Sequence, residues 1–254
     1  MSRQFSRDYL IEVQRGNISG ASMVHKFGRN DAVPNGSWVH VSLLPFAITN
    51  FRQTAVAMRV KAGGNAADTA AGAGAREITI QGIDSAFAET SEAVATAGAS
   101  ASAATSATFW RVHRAWVSAA GAYTSANTAA VTIEDSGSGA DFLTIAADEG
   151  QSQYAGWTVP TGKTAYLLSV HVSVDSNKTS NIRCFTRKNI DDVTAPMNAK
   201  RLKLFWDGVE NDFTYKPFGP ELSIPEKSDI WFEAYGDGAV SHVSIDFELL
   251  CVDN

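Results

Sequence analysis

The sequence predicts an all-β protein: an antiparallel, jelly-roll-like β-sandwich with little helix, arranged as two β units. Apolar and polar residues alternate with a period of two through most of the C-terminal half, which is typical of strands with one buried face. Clusters of Gly, Pro, Asn and Asp separate these runs at the spacing of turns in sandwich folds. The chain has 254 residues, 44% of them hydrophobic, which is enough for a sizeable core.

The clearest strands lie in the C-terminal half. Within 240–252, Val243 and Phe247 fall on one face, whereas Ser244 and Asp246 fall on the other. This alternation predicts a long strand with one buried side. The same test predicts strands near 164–174, 180–187, 200–206 and 229–235.

The N-terminal half has shorter strands and two stretches of low complexity. Strands are predicted at 37–43, 54–60, 76–82, 108–117 and 129–135. The Gly/Ala-rich stretch 61–75 is expected to be a loop. The stretch 89–108, almost wholly Ala, Ser and Thr, fits either a helix or a hairpin of small residues. Its position between two strands favours the hairpin.

Three segments follow from this pattern. Residues 1–36, polar and rich in Gly, are expected to form an N-terminal arm that reaches a neighbouring subunit. Residues 37–150 form the predicted first β unit with Ala/Gly-rich loops. Residues 151–254 form the second, a β-sandwich, after a turn-rich break near 146–156.

Charge and composition argue against several classes of protein. The net charge of −6 argues against coating nucleic acid, which needs a basic face. The sequence contains no run of 18 apolar residues, so no membrane-spanning helix is predicted. The first residues carry charges where a signal peptide needs its apolar core, so we expect a soluble protein made in a cytoplasm. Cys184 and Cys251 sit at alternating apolar positions, where cysteine is a small buried hydrophobe.

Gly162-Lys163-Thr164 matches the end of a nucleotide-binding P-loop, but its surroundings do not. A P-loop needs glycine five positions before Gly162, where this chain has Trp157, and it needs a helix afterwards. The residues that follow alternate as a strand. Pro160 and Gly162 are typical turn residues, so this segment is predicted to be a hairpin corner.

No other pattern predicts catalysis, a cofactor or a metal. The five histidines show no spacing that would bring three metal ligands together. The acidic clusters at 189–192, 206–212 and 235–238 read as turns, and 134–141 lacks the spacing of an EF-hand calcium loop. No nucleophile elbow is present. We therefore expect no catalytic, cofactor-binding or metal-binding residues.

Aromatic residues on predicted strands are the candidate interface residues. Tryptophan and tyrosine are enriched at interfaces because they bury a large area and carry a polar group, although core packing gives the same pattern. The candidates are Trp110, Trp116, Trp206, Trp231 and Tyr235.

Several segments resemble a family of tailed-phage proteins. They are "MVHKFGRNDAV" (23–33), "AADTAAGAGAREITIQGID" (66–84), "FWRVHRAWVSAAG" (109–121), "YAGWTVPTGKTAYLLS" (154–169), "PEKSDIWFEA" (225–234) and "FELLCVDN" (247–254). They resemble, in the same order, uncharacterised virion structural proteins common in marine and aquatic phages. The resemblance covers nearly the whole chain. It implies a virion component and supplies no catalytic residues.

The leading functional prediction is a non-enzymatic virion structural protein, either a capsid decoration or a minor head, neck or tail component. It would act as a homo-oligomer, a trimer or another cyclic assembly, and contact other virion proteins, with no nucleic-acid or membrane partner and no cofactor. The alternative is a receptor- or carbohydrate-binding tail or fibre module, with Trp206 in "LFWDGVEND" (204–212) stacking on a sugar. A third option is a glycan-degrading tail enzyme that uses Asp207 and Glu210.

Overall fold

The structure, a computed structural model, describes residues 8–44, 51–62, 65–217 and 222–254. Within these ranges strand accounts for 55% and helix for 3%, and all paired strands are antiparallel. The prediction of an antiparallel all-β protein with little helix is therefore confirmed.

One short helix and seventeen strands make up the regular structure of the described residues. In chain order they are α1 (Tyr9–Gln14), β1 (Ala21–Val33), β2 (Val39–His40), β3 (Val56–Ala62), β4 (Ala75–Ile83), β5 (Glu89–Ala95), β6 (Thr108–Phe109), β7 (Arg111–Ala120), β8 (Val131–Asp135), β9 (Asp141–Ile145), β10 (Gly156–Val159), β11 (Lys163–Val174), β12 (Thr179–Arg187), β13 (Arg201–Val209), β14 (Asp212–Tyr215), β15 (Ser223–Ile224), β16 (Ser228–Asp237) and β17 (Ser241–Asp253).

Sheets I and II share the larger hydrophobic core, here called the first core. Sheet I has the order β1-β17-β11-β14, with β15 on β11, and sheet II has the order β10-β16-β12-β13, with β2 on β16. Alternate residues of both sheets meet between them, including Val172, Ile182, Phe232 and Phe247. The rings of Phe232 and Phe247 lie 5.2 Å apart, which joins β16 to β17 across the core.

Sheets III and IV share a second core, built from the middle of the chain. Sheet III has the order β6-β3-β8-β9 and sheet IV the order β5-β4-β7. Met58, Ile80, Phe109, Ile133 and Phe142 are fully buried between them. The four sheets are arranged in a propeller-like ring.

The prediction that residues 1–36 form an N-terminal arm is wrong for 21–33. Ala21–Val33 is strand β1, which pairs with the C-terminal strand β17 from Ala21 opposite Val252 to Asn30 opposite Val243. Gly28 lies so close to the next layer that a Cβ there would stand 2.1 Å from the Ala155 nitrogen. Because β1 contains many polar residues, its sequence does not show the alternation of a half-buried strand. Residues 1–7 lie outside the described part of the chain.

The corner at 160–162 is a turn, as predicted, but it does not close a hairpin. Gly162 has a φ of +74°, the left-handed conformation that glycine adopts without strain. The strand before it, β10, belongs to sheet II, whereas β11 after it belongs to sheet I. The turn therefore carries the chain from one sheet of the first core to the other.

The described residues of the two low-complexity stretches are not helical. In 89–108, Glu89–Ala95 forms strand β5 on β4, and the chain then turns at Gly98 and continues to β6 without helix. Strand is therefore confirmed over helix, but the segment is not a hairpin by itself. In 61–75, the buried carboxylate of Asp68 accepts hydrogen bonds from the backbone N–H groups of Ala75, Thr128 and Ala129 at 2.8–2.9 Å. Through these hydrogen bonds Asp68 fixes the backbone at the end of this loop against the segment that contains Thr128 and Ala129.

Candidate functional site

The side chains of β16 that point away from the first core form the floor of the candidate site. Along this strand Ile230, Phe232 and Ala234 face the core, so Trp231 and Glu233 project from the opposite face of sheet II. Both are nonetheless buried, because neighbouring segments cover them. A cavity of about 410 Å³ lies above them. It is lined by His40, Phe51, Gln53, Arg187, Met197, Asn198, Lys200, Trp231 and Glu233.

The aromatic wall of this cavity is centred on the indole of Trp231. The Phe51 ring lies 4.9 Å from it and the Phe185 ring 5.5 Å. The imidazole of His40 stacks on Trp231 at 6.4 Å with nearly parallel planes. This packing holds Trp231 in one orientation and gives the cavity a flat apolar side.

The charged side of the cavity is centred on the carboxylate of Glu233. Its Oε1 accepts a hydrogen bond from Trp231 Nε1 at 2.9 Å and lies 3.5 Å from Lys200 Nζ, and its Oε2 accepts one from Arg183 Nε at 2.7 Å. Burial alone would raise the pKa of Glu233, but the hydrogen bonds from Trp231 and Arg183 outweigh it and lower the pKa. Glu233 is therefore an ionised, fully engaged carboxylate.

His40 presents an unsatisfied nitrogen beside the cavity. Burial lowers its pKa to about 4, against the opposing pull of Glu233, so the ring is neutral at pH 7. Its Nδ1 is buried without a hydrogen-bond partner among the described residues. Because buried polar atoms are normally paired, a ligand or water in the cavity would satisfy this nitrogen.

The structure separates the five aromatic candidates. Trp231 is only 4% exposed and forms the cavity floor, so it is a structural and lining residue rather than an open contact. Tyr235 lies further along β16 and packs against Trp38 at 5.4 Å. Trp206 lies on the opposite face of sheet II, against the first core, with its ring 5.1 Å from Phe213.

Trp110 and Trp116 lie away from the cavity. Trp110 packs on Phe87 at 5.0 Å in a small cluster with Ile83 and Ile190, and its Nε1 is buried without a partner among the described residues. Trp116, in β7, is half-buried opposite Thr79. Whether any of the five aromatic candidates meets another subunit stays a prediction.

Most of the site could not be read from the sequence. Trp231 and Glu233 lie two residues apart in a predicted strand, and this spacing indicates that their side chains share one face of the sheet. His40, Phe51, Arg187 and Lys200 are distant in sequence and carry no motif. Sheet pairing places His40 opposite Glu233, and local alternation does not specify that register.

The other predicted features have simpler structural roles. The N–H of Gly162 in the P-loop-like turn donates to the carboxylate of Glu226, and Lys163 pairs with Asp253 at 2.8 Å. Cys184 and Cys251 are both free and buried, as predicted, and burial raises the pKa of both thiols, that of Cys251 to about 12. The described residues contain no group of three His, Cys, Asp or Glu placed to hold a metal ion.

Comparison of the sequence with other proteins gives no family. No family model matches the chain, and no curated protein is similar to it. In the described part of the chain, no helix has the length and apolar character to cross a membrane.

Proposed function

We propose that this protein is a non-enzymatic structural subunit of a tailed-phage virion that acts through contacts between copies of itself. The observation that carries the proposal is strand β13, which lies at the edge of sheet II and is largely open to solvent. Leu202 and Phe205 on this strand are 52% and 48% exposed. An edge with unpaired backbone groups and exposed apolar side chains favours addition of another strand.

The charges along β13 favour another copy of the same strand as the partner. Arg201 and Lys203 lie in its first half, whereas Asp207 and, just beyond the strand, Glu210 follow. When two such strands pair antiparallel about a two-fold axis, the basic half of each faces the acidic half of the other. Opposite charges across a strand pair stabilise it, so the edge is self-complementary.

The strand order of sheets I and II supports a jelly-roll fold for this part of the chain. In the described part of the chain, eight strands form these two sheets apart from the short β2 and β15, and they can be numbered one to eight in chain order: β1, β10, β11, β12, β13, β14, β16 and β17. In this numbering, strand one pairs with strand eight (β1 with β17), two with seven (β10 with β16), three with six (β11 with β14) and four with five (β12 with β13). Pairs one–eight and three–six share sheet I, and the other two share sheet II. A four-pair antiparallel ribbon rolled into a sandwich gives this strand order, as in the jelly rolls of viral capsid and lectin domains, and this agreement supports the proposal.

On this reading, sheets III and IV are an insertion between the first two jelly-roll strands. The partners would be other copies of the chain and neighbouring capsid, neck or tail proteins, and the location would be the virion. The resemblance to phage virion proteins supports the same assignment. Mass spectrometry of purified particles, with immunogold labelling of intact virions, tests it; particles that lack the chain would overturn it.

A second candidate function is binding of a glycan or receptor, and the cavity above Trp231 favours it. The site combines a flat aromatic side with Arg187, Lys200 and the carboxylate of Glu233, which suits sugar rings and their hydroxyl groups. Trp206, the residue first expected to stack on a sugar, packs against the core instead. Glycan-array binding that is lost when cavity residues are changed would support this function.

A further inference from the structure

A buried lysine with no acidic partner marks a second site, between β1 and β7. Lys26 is 3% exposed, and its Nζ donates a hydrogen bond to the carbonyl oxygen of His113. Among the residues that the structure describes, no carboxylate forms an ion pair with it. Lysine is almost never fully buried unless it is paired, because removing an ammonium from water costs several kcal/mol.

Two further basic side chains surround Lys26. His113 is 4% exposed, and its Nε2 is buried without a hydrogen-bond partner in the described chain. Arg114 donates to the carbonyl oxygen of His25 and lies close enough for its positive charge to affect Lys26. Burial first, and then these neighbouring positive charges, hold the pKa of both Lys26 and His113 well below the usual values.

These three side chains line a cavity of about 240 Å³, which is room for several water molecules or one small ion. The remaining lining residues are Ser22, Met23, Val24, His25, Gln81, Glu89 and Trp157. Most are polar, so the cavity is suited to a hydrogen-bonding occupant rather than an apolar one.

The geometry points to a binding site for a small oxyanion of the phosphate class, held by Lys26, His113 and Arg114. A bound anion would accept hydrogen bonds from Lys26 Nζ and from the otherwise unpaired Nε2 of His113, and its negative charge would favour the protonated form of both side chains. Lysine, arginine and histidine together provide only donors when charged, which matches the acceptor oxygens of such an ion. Because Lys26 belongs to sheet I and His113 to sheet IV, the anion would also bridge the two halves of the molecule.

A variant of Glu89 can distinguish an anion-binding site from an ion pair between Glu89 and Lys26. The carboxylate of Glu89 lines the same cavity and would repel a bound anion. Replacing it with glutamine should therefore tighten anion binding. If Glu89 instead were the distant partner of Lys26, the same change would destabilise the protein and leave anion affinity unchanged.

The test is calorimetric titration of the full chain with inorganic phosphate at pH 7 and constant ionic strength, with chloride as reference. We expect saturable binding with a raised Tm, at least a tenfold loss of affinity in Lys26→Met, and tighter binding in Glu89→Gln. Lys227→Met, which changes a lysine paired with Asp191 outside the cavity lining, is the matched control and should bind normally. Glycerol phosphate as a second titrant separates a free ion from a phosphate carried on a larger molecule.

Two results would overturn the site. One is a wild-type protein that binds neither titrant. The other is a Lys26→Met variant that binds phosphate as tightly as the wild type. Should Lys26→Met not fold, Glu89→Gln decides: unchanged affinity in that variant rejects the proposal.

Discussion

The guanidinium of Arg111 and the carboxylate of Asp229 form a buried ion pair that joins sheet IV to sheet II, with Nη2 and Oδ2 3.0 Å apart. Both side chains are at most 3% exposed. Arg111 also donates to the backbone oxygens of Arg52 and Trp110, and Thr158 donates to Asp229 at 2.6 Å. The pair is thus the centre of a network that ties the two cores together.

Removing one partner of this pair should destabilise the protein strongly. Arg111→Met leaves the Asp229 carboxylate buried without a cation, which typically costs about 3–5 kcal/mol. The double variant Arg111→Met/Asp229→Asn should cost less than the sum of the single changes, because each single change leaves one lone buried charge whereas the double variant leaves none. Denaturant unfolding measures all three variants. As a control, Lys163→Met removes a surface ion pair and should lower the free energy of unfolding by less than about 1 kcal/mol. If the losses in the Arg111→Met and Asp229→Asn variants simply add in the double variant, the two side chains are not coupled.

Acidification should reduce stability through His40. Burial lowers the pKa of His40 to about 4 in the folded protein, whereas an unfolded histidine titrates near 6.5. Between these values the unfolded chain binds the proton and the folded chain does not, so the free energy of unfolding falls as pH drops from about 6.5 to 4. Above about 6.5 this contribution is fully present.

The His40→Gln variant isolates this effect. Its unfolding free energy should depend less on pH across that window, with buried His113 accounting for part of the remaining slope. His242→Gln, which changes an exposed histidine outside the cavity, is the matched control. A His40→Gln profile as steep as the wild-type curve would show that His40 does not contribute.

Charge reversal on β13 should control self-association. Arg201→Glu/Lys203→Glu makes the whole edge acidic, and Asp207→Lys/Glu210→Lys makes it basic. Each variant alone places like charges opposite one another and should shift the protein towards monomer. Mixing the two restores opposite charges and should yield a hetero-oligomer. Light scattering after size-exclusion chromatography measures each state.

Assembly unchanged in both single-sign variants would exclude β13 as the contact. Such a result would not by itself remove the chain from the virion, since labelling of particles tests location separately. Loss of assembly without recovery on mixing would reject the self-complementary arrangement.

Removing the aromatic wall should abolish glycan binding if the cavity above Trp231 is the binding site. Phe51→Ala takes away a ring that lies 4.9 Å from Trp231 while leaving the floor in place. We expect at least a tenfold loss of affinity for whichever glycan the wild type binds on an array. Trp116→Ala, an aromatic change outside the cavity, is the control. Equal loss in both variants would point to general destabilisation instead.

Alternation along the chain was a dependable guide wherever a strand has one buried face. Strands β11, β12, β13, β16 and β17 match the predicted segments closely, because apolar residues every second position leave one face to bury. In the N-terminal half, the predicted segments 37–43, 54–60, 76–82, 108–117 and 129–135 also overlap strands β2, β3, β4, β6 with β7, and β8. The short strands β9, β10, β14 and β15 are not among the predicted segments. The sequence pattern predicts an arm in place of strand β1, because Lys26 and Asn30 are polar residues at positions that the fold buries.

The all-β class and much of the strand pattern follow from local features of the sequence, namely alternation and turn residues. The sequence also placed the two cysteines in the interior. The pairing of β1 with β17, the change of sheet at Gly162 and the grouping of His40 with Glu233 depend on how the whole chain packs. Those relationships join residues far apart in the chain. Their register is set by the combined packing of several strands, which no short segment specifies.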